Sequence, residues 1–309
     1  MQMQNNTPAV KKKRSSFRKP WELYILLLPA MTYTFIFHYL PMYGVQIAFK
    51  NYQTGKGIWG SSWVGLQHFR RFLSYPAFWE MIRNTLSITL YSLATFPLAI
   101  IFALLINELT NLGFKKTVQM VSYAPHFLST VVVCGMLLLF LDRGSGLFNT
   151  VRALFGKEAI PFISIPSLFS TIYVWSGVWQ GIGWGTILYI SALSGVSPEL
   201  IEAAKIDGAT KLQIIRHINI PWILPTVVIV FIMSTGGLLS VGFEKIFLLQ
   251  NPLNLEASRV LATYTYEVGI QGGQFSYSSA IGFFNMITNA IIVTLVNFIA
   301  KKVSGTGLF

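Results

Sequence analysis

Between two long apolar runs the chain reads Gly195-Val-Ser-Pro-Glu-Leu-Ile-Glu-Ala-Ala-Lys-Ile-Asp-Gly-Ala-Thr-Lys-Leu-Gln-Ile-Ile-Arg-His-Ile-Asn-Ile-Pro221. Ser197 is a natural N-cap, Pro198 suits the first helical position and Glu199 favours the positive helix start, so a short helix is predicted from Pro198 to about Ile206. Gly208 ends it, because glycine enters the left-handed region without a Cβ penalty. A second amphipathic turn over Ala209 to Asn219 puts Leu212, Ile215, Ile218 and Asn219 near one face, and Pro221 is expected to break it. The segment therefore predicts a helix-glycine-helix elbow, polar and charged, hung between two segments that water would not solvate.

Outward from the elbow, the composition is that of a membrane protein. Of 309 residues 53% are hydrophobic and 11% charged, against about 25% charged in a soluble domain. A spanning helix needs about 20 largely apolar residues. Six stretches qualify, near Trp21 to Val45, Asn84 to Asn107, Val118 to Leu141, Leu168 to Leu193, Trp222 to Val241 and Tyr277 to Ala300. The fold class predicted is all-α, a polytopic transmembrane bundle of about six spans. Lys11, Lys12, Lys13, Arg14, Arg18 and Lys19 precede the first span and read as a cytoplasmic anchor rather than a nucleic-acid patch. An even number of spans then returns Lys301 and Lys302 to the same side, giving an N-in, C-in topology. Residues 1–20 form the basic cytoplasmic tail and 21–309 one transmembrane domain, with its core at about 80–300 and the cytoplasmic loop at about 195–221.

Several chemistries are missing. No Gly-x-x-x-x-Gly-Lys-Ser/Thr loop, His-Glu-x-x-His helix or Gly-x-Ser-x-Gly elbow occurs, so no catalytic residue is assigned. His38, His68, His126 and His217 are dispersed, and Cys134 stands alone, so no metal site is expected. Carboxylates fall at or beyond the span ends, which removes the intramembrane acids that proton- or ion-coupled carriers use. The outer loops, Phe49 to Arg83, Asp142 to Ser167 and Gly242 to Ser276, are rich in Gly, Trp, Tyr and Phe and are expected to be structured.

Glu202-Ala203-Ala204, then Asp207-Gly208-Ala209, then Ile218-x-Ile220-Pro221 and Pro225 resemble the cytoplasmic signature loop of binding-protein-dependent ABC importer permeases. Ile215 stands where relatives often carry an aromatic residue, and Ile220 where leucine is usual. The likeness runs from Trp21 to Phe309 and points to the complex-polysaccharide branch of sugar permeases. It includes Tyr39-Leu-Pro-Met-Tyr-Gly, Ser122-Tyr-Ala-Pro-His-Phe, Trp179-Gln-Gly-Ile-Gly-Trp-Gly and Gly242-Phe-Glu-Lys-Ile-Phe-Leu-Leu-Gln-Asn-Pro. The resemblance implies a type I importer permease of a bacterial cytoplasmic (inner) membrane, a transport subunit and not an enzyme. It implies a second homologous permease, an ATPase dimer that binds ATP and Mg, an extracytoplasmic solute-binding protein and no cofactor on this chain. It also implies that Glu202, Ala203, Ala204, Asp207, Gly208, Ala209 and Pro221 belong to the ATPase-coupling loop. The sugar stays open; an oligosaccharide is implied, and an acidic uronate-containing one such as an alginate fragment is compatible with Arg70, Arg71, Arg152 and Arg259.

For the solute path, polar and aromatic residues at helical spacing are the candidates. Thr89 shares a face with Thr85 and Ser92, and Asn285 and Asn289 share one with Ser278 and Gly282. Trp175, Trp179, Gln180 and Trp184 mix aromatic and amide groups suited to stacking on sugars and bonding hydroxyls. For any one of these residues taken singly, helix–helix packing is the preferred reading.

Overall fold

The computed structural model describes residues 21–308; the basic tail of residues 1–20 lies outside them. The main helices are α1 (Leu23–Phe49), α2 (Phe78–Asn107), α3 (Leu112–Phe127), α4 (Thr130–Phe140), α5 (Pro166–Leu193), α6 (Pro198–Ile206), α7 (Lys211–Thr235), α8 (Phe243–Leu249), α9 (Leu261–Tyr266) and α10 (Phe275–Ser304). Helices α1, α2, α7 and α10 are each long and apolar enough to cross a membrane. The pairs α3–α4 and α5–α6 meet the same measure of length and apolarity when taken together, bent at 97° and 79°. The described residues thus hold four candidate spans, or six if each bent pair counts as one. Two short strands, β1 (Lys50–Asn51) and β2 (Ser62–Trp63), pair antiparallel in the first outer loop.

Proline shapes the spans without ending them. Pro41 and Pro221 each follow a five-residue π turn, Phe35–Tyr39 and Ile215–Asn219. In both, the residue before the proline donates its N–H five residues back, Leu40 to Phe35 and Ile220 to Ile215. A proline lacks the N–H and crowds the carbonyl four residues earlier, and the wider turn relieves both. The expected break at Pro221 is thus corrected: the fifth span starts at Lys211 and runs through the proline. The extra residue in the π turn also shifts the phase of the apolar face. Ile214 and Asn219 are buried, Ile215 and Ile218 half-buried, and Leu212, expected inside, is exposed.

The predicted third span is corrected too. Pro125 lies in a 3-10 turn, Ala124–Phe127, and Ser129 then caps α4 by accepting the Val132 N–H. The chain folds sharply between them, and Gln180 of α5 donates to the freed Leu128 carbonyl at 2.9 Å.

Apolar contacts hold the two ends of the bundle. Phe72, Met81, Leu261, Tyr277 and Ile281 form one cluster, and Ile88, Phe169, Ile246, Leu249 and Val260 a second, tying α2, α5, α8, α9 and α10 together. Leu104, Leu193 and Ile223 close the opposite end. Asparagines order the outer loops by satisfying buried backbone groups. Asn149 donates to Asp142 and Ile160 carbonyls at 2.9 Å each, and Asn84 donates to the Glu256 carbonyl at 2.7 Å.

Candidate functional site

The elbow is built from local hydrogen bonds. Helix α6 has Pro198 in its first turn, while Ser197, in extended backbone at the N-cap position, makes no side-chain capping bond. At the other end Gly208 has φ +80°. Its N–H reaches the Lys205 carbonyl and the Ala209 N–H reaches the Ala204 carbonyl at 2.9 Å, so a Schellman motif closes the helix. Thr210 then opens α7 with a capping box: it takes the Gln213 N–H on its hydroxyl and gives its own N–H to Gln213 Oε1 at 2.7 Å. Sequence reading passed over Thr210, although Thr-x-x-Gln carries that signal.

What the elbow presents is apolar as well as acidic. Glu202, Ala203, Asp207 and Gly208 are exposed, and Ala204 and Ala209 are half-buried. Ile206 and Leu212 are 86% and 73% exposed, so the chain leaves two large aliphatic groups uncovered beside its small residues and carboxylates. The elbow's base is fixed to the bundle. Trp222 Nε1 donates to the Ala192 carbonyl at 3.0 Å, linking α7 just past Pro221 to the end of α5 beside buried Leu193 and Ile223.

Two cavities, mainly apolar but each with several polar side chains in its wall, flank α7. The first, of about 480 Å³, lies between α2, α5, α7 and α8 and is lined by Ser92, Thr95, Gly177, Gln180, Gly181, Ser234 and Lys245 among others. The second, of about 590 Å³, lies between α7 and α10 and is lined by Gly236, Ser240, Gly282, Asn285 and Asn289 among others. Here the chain leaves the helix after Thr235, and Asn289 supports the unwound stretch. Its Oδ1 accepts the Leu239 N–H at 2.9 Å, and its Nδ2 donates to Ser240 Oγ and Asn285 Oδ1 at 3.0 Å each.

The candidate path residues are spread over different places. Gln180 lines the first cavity and Asn285 and Asn289 the second. Trp175 and Trp179 line a third, apolar cleft against α4, where Trp175 Nε1 donates to Tyr91 Oη at 2.9 Å. Trp184 stacks on His126 at 4.4 Å between ring centres. Thr89 donates to the Thr85 carbonyl at 2.8 Å.

Lys245 was missed by the sequence reading. It is 9% exposed, and its Nζ donates to the Tyr173 carbonyl at 3.0 Å and lies 4.9 Å from the centre of the Tyr173 ring. The available signal was positional: Lys245 and Leu249 are four apart on a seven-residue helix and share its buried face. Burial lowers the pKa of its ammonium from 10.5 to about 8.

The family described as binding-protein-dependent transport system inner membrane component matches residues 74–305. The chain is 41% identical over 288 residues to the polygalacturonan/rhamnogalacturonan transport system permease protein YteP of Bacillus subtilis (strain 168), covering 93% of this chain and 90% of that protein. It is 26% identical to the arabinooligosaccharides transport system permease protein AraP of the same organism, covering 92% and 88%. Among solved structures it resembles a chain of a bacterial alginate ABC transporter in complex with an alginate pentasaccharide-bound periplasmic protein. The TM-score is 0.86 at 36% identity, covering 94% of this chain and 97% of that one.

Proposed function

We infer the function from one premise: the chain belongs to the family of binding-protein-dependent transport system inner membrane components. It is a multi-pass permease subunit of an ABC importer, a transport protein and not an enzyme. Our reading of its cargo is an oligosaccharide released from an acidic, uronate-rich polysaccharide. The named relatives support this: one is a polygalacturonan/rhamnogalacturonan permease, and a structural neighbour belongs to a transporter for the acidic polysaccharide alginate. Its partners are an extracytoplasmic solute-binding protein, a second, homologous permease that completes the pathway, and an ATPase pair that holds ATP and Mg²⁺.

The observation that carries the coupling role is the exposed elbow clamped to two spans. Glu202, Ala203, Ala204, Asp207, Gly208 and Ala209 form a knuckle whose small residues let a partner's groove approach the backbone while Glu202 and Asp207 pair with its cations. Closure of the ATPase pair moves the knuckle, Trp222 and Leu193 pass the movement to α7 and α5, and the bundle rocks between inward-open and outward-open states. Asn285, Asn289 and Ser240 then supply hydroxyl-bonding groups at the unwound turn, a break of the kind from which transporters build solute sites.

The test is a charge reversal, Glu202→Lys, in the complete reconstituted complex. It should lower ATP-driven uptake of galacturonate oligosaccharides and weaken retention of the ATPase while leaving the permease folded. Uptake equal to wild type would remove the elbow from the coupling path, and uptake by liposomes holding this chain alone would replace the importer scheme with a stand-alone carrier.

A further inference from the structure

Lys245 is a buried cation without a buried counter-charge. Among the described residues the one ion pair is Arg259–Glu267, and no Asp or Glu lines the cavity that Lys245 closes. An ammonium carries three donors, and one is engaged by the Tyr173 carbonyl. Burying a charge is expensive unless it is paired and hydrogen-bonded. A methionine or leucine of similar volume would fill this position at lower cost, so the charge calls for a partner that the chain itself does not provide.

The space beside Lys245 suits such a partner. Gly177, Gly181 and Gly185 recur every four residues along the face of α5 that lines the cavity. A Cβ on Gly177 would lie 3.5 Å from Lys245 Nζ, and one on Gly181 would meet nothing within 4 Å. The glycines therefore keep open a trough that leads to the ammonium. Ser92, Thr95, Gln180 and Ser234 add neutral polar groups around it.

We propose that Lys245 and the trough of Gly177 and Gly181 form an oxyanion site, which holds a carboxylate of the acidic saccharide as it passes through the permease. The proposal rests on the acidic-oligosaccharide reading above and names the residue within this chain that distinguishes an acidic from a neutral sugar. The site receives the anion by exchanging part of its hydration for the lysine donors, a charge-assisted bond stronger than one between neutral groups.

The experiment uses the whole complex in proteoliposomes, with trigalacturonate and its trimethyl ester as probes of equal length, the first anionic and the second uncharged. The wild type should prefer the acid. Lys245→Gln should lower the acid-to-ester ratio of uptake efficiency by about tenfold or more, the scale of one hydrogen bond to a charged group. Lys245→Arg should restore the ratio and so shows that loss is not misfolding. A packing role would lower uptake of acid and ester together and leave the ratio unchanged; that outcome overturns the proposal. A ratio that falls only in vesicles containing phosphatidylglycerol, and not in neutral lipid, would assign the anion to a lipid phosphate and overturn it as well. A wild-type complex that takes the ester as well as the acid, or takes neither, would instead sink the acidic-cargo reading on which the site depends.

Discussion

Gly183 of α5 lies against Ser122 of α3 so closely that a Cβ built on it would collide with the Ser122 carbonyl oxygen. That oxygen is backbone and cannot turn aside, so Gly183→Ala must separate the two helices. Overpacking of this kind costs about 1–3 kcal/mol, and a backbone clash belongs at the upper end. The purified protein should show a lowered thermal midpoint and a poor yield of assembled complex. Gly181→Ala, two residues away and facing open space, should fold as well as wild type or slightly better, since alanine favours a helix over glycine by about 0.5–1 kcal/mol. Equal midpoints for the two variants would contradict the packing described.

The elbow should respond to its two caps. Gly208 at φ +80° leaves a side chain strained, and Gly208→Ala should cost about 1–2 kcal/mol locally. Thr210→Ala removes the capping box and should cost about 1 kcal/mol. Because α6 is exposed, both losses should appear as faster amide exchange over residues 203–214 and weaker ATPase retention, with little change in the global melting of the spans. Unchanged exchange in either variant would show that the motif is held by something other than these bonds.

The caps and spans were readable in the sequence for different reasons. Length and hydropathy reveal a span because the bilayer sets both, and Gly208 reveals a helix end because its conformation is a local property. Pro221 misled because its effect depends on whether the preceding turn can widen, and here the turn widens with Ile214 and Asn219 buried. The fold between α3 and α4 depends on Gln180, which satisfies Leu128 from 52 residues away. Trp175 and Trp179 share a cleft while Trp184, on the same helix, stacks on His126, because neighbours rather than spacing determine what each ring meets. Lys245 escaped notice because its flanking sequence says only that α8 is apolar, and the absence of a counter-charge is a three-dimensional fact.

Asn289 should prove a structural acceptor at the unwound turn. Leu239 is buried, and its N–H is satisfied by Asn289 Oδ1 at 2.9 Å. Asn289→Ala leaves that donor without this acceptor, a loss of about 1–3 kcal/mol. Asn289→Asp keeps an acceptor for Leu239 while losing the donors to Ser240 and Asn285. The aspartate variant should therefore recover part of the lost thermal stability and little of the sugar uptake. Full recovery of uptake would show that the amide donors do not serve the cargo.

Raising the pH should act with opposite signs on stability and on transport. Burial lowers the Lys245 pKa from 10.5 to about 8, with the Cys134 thiol opposing the shift. Tyr173 from α5 and Cys134 from α4 are the titratable groups near it, and Glu244 precedes it in the chain. Above pH 10.5 the lysine is neutral in both the folded and the unfolded chain. As pH falls from 10.5 to about 8 the unfolded chain takes up the proton first, so this residue's contribution to stability declines across that window and is level below it. Anion binding runs the other way, because the site needs the ammonium. Uptake of trigalacturonate relative to its ester should fall as the pH on the accessible side rises through about 8, while the folded state gains stability. In Lys245→Arg the ratio should stay level through the same range, because a guanidinium keeps its charge there. A wild-type ratio that does not change between pH 7 and pH 9 would mean that the carboxylate never meets this lysine.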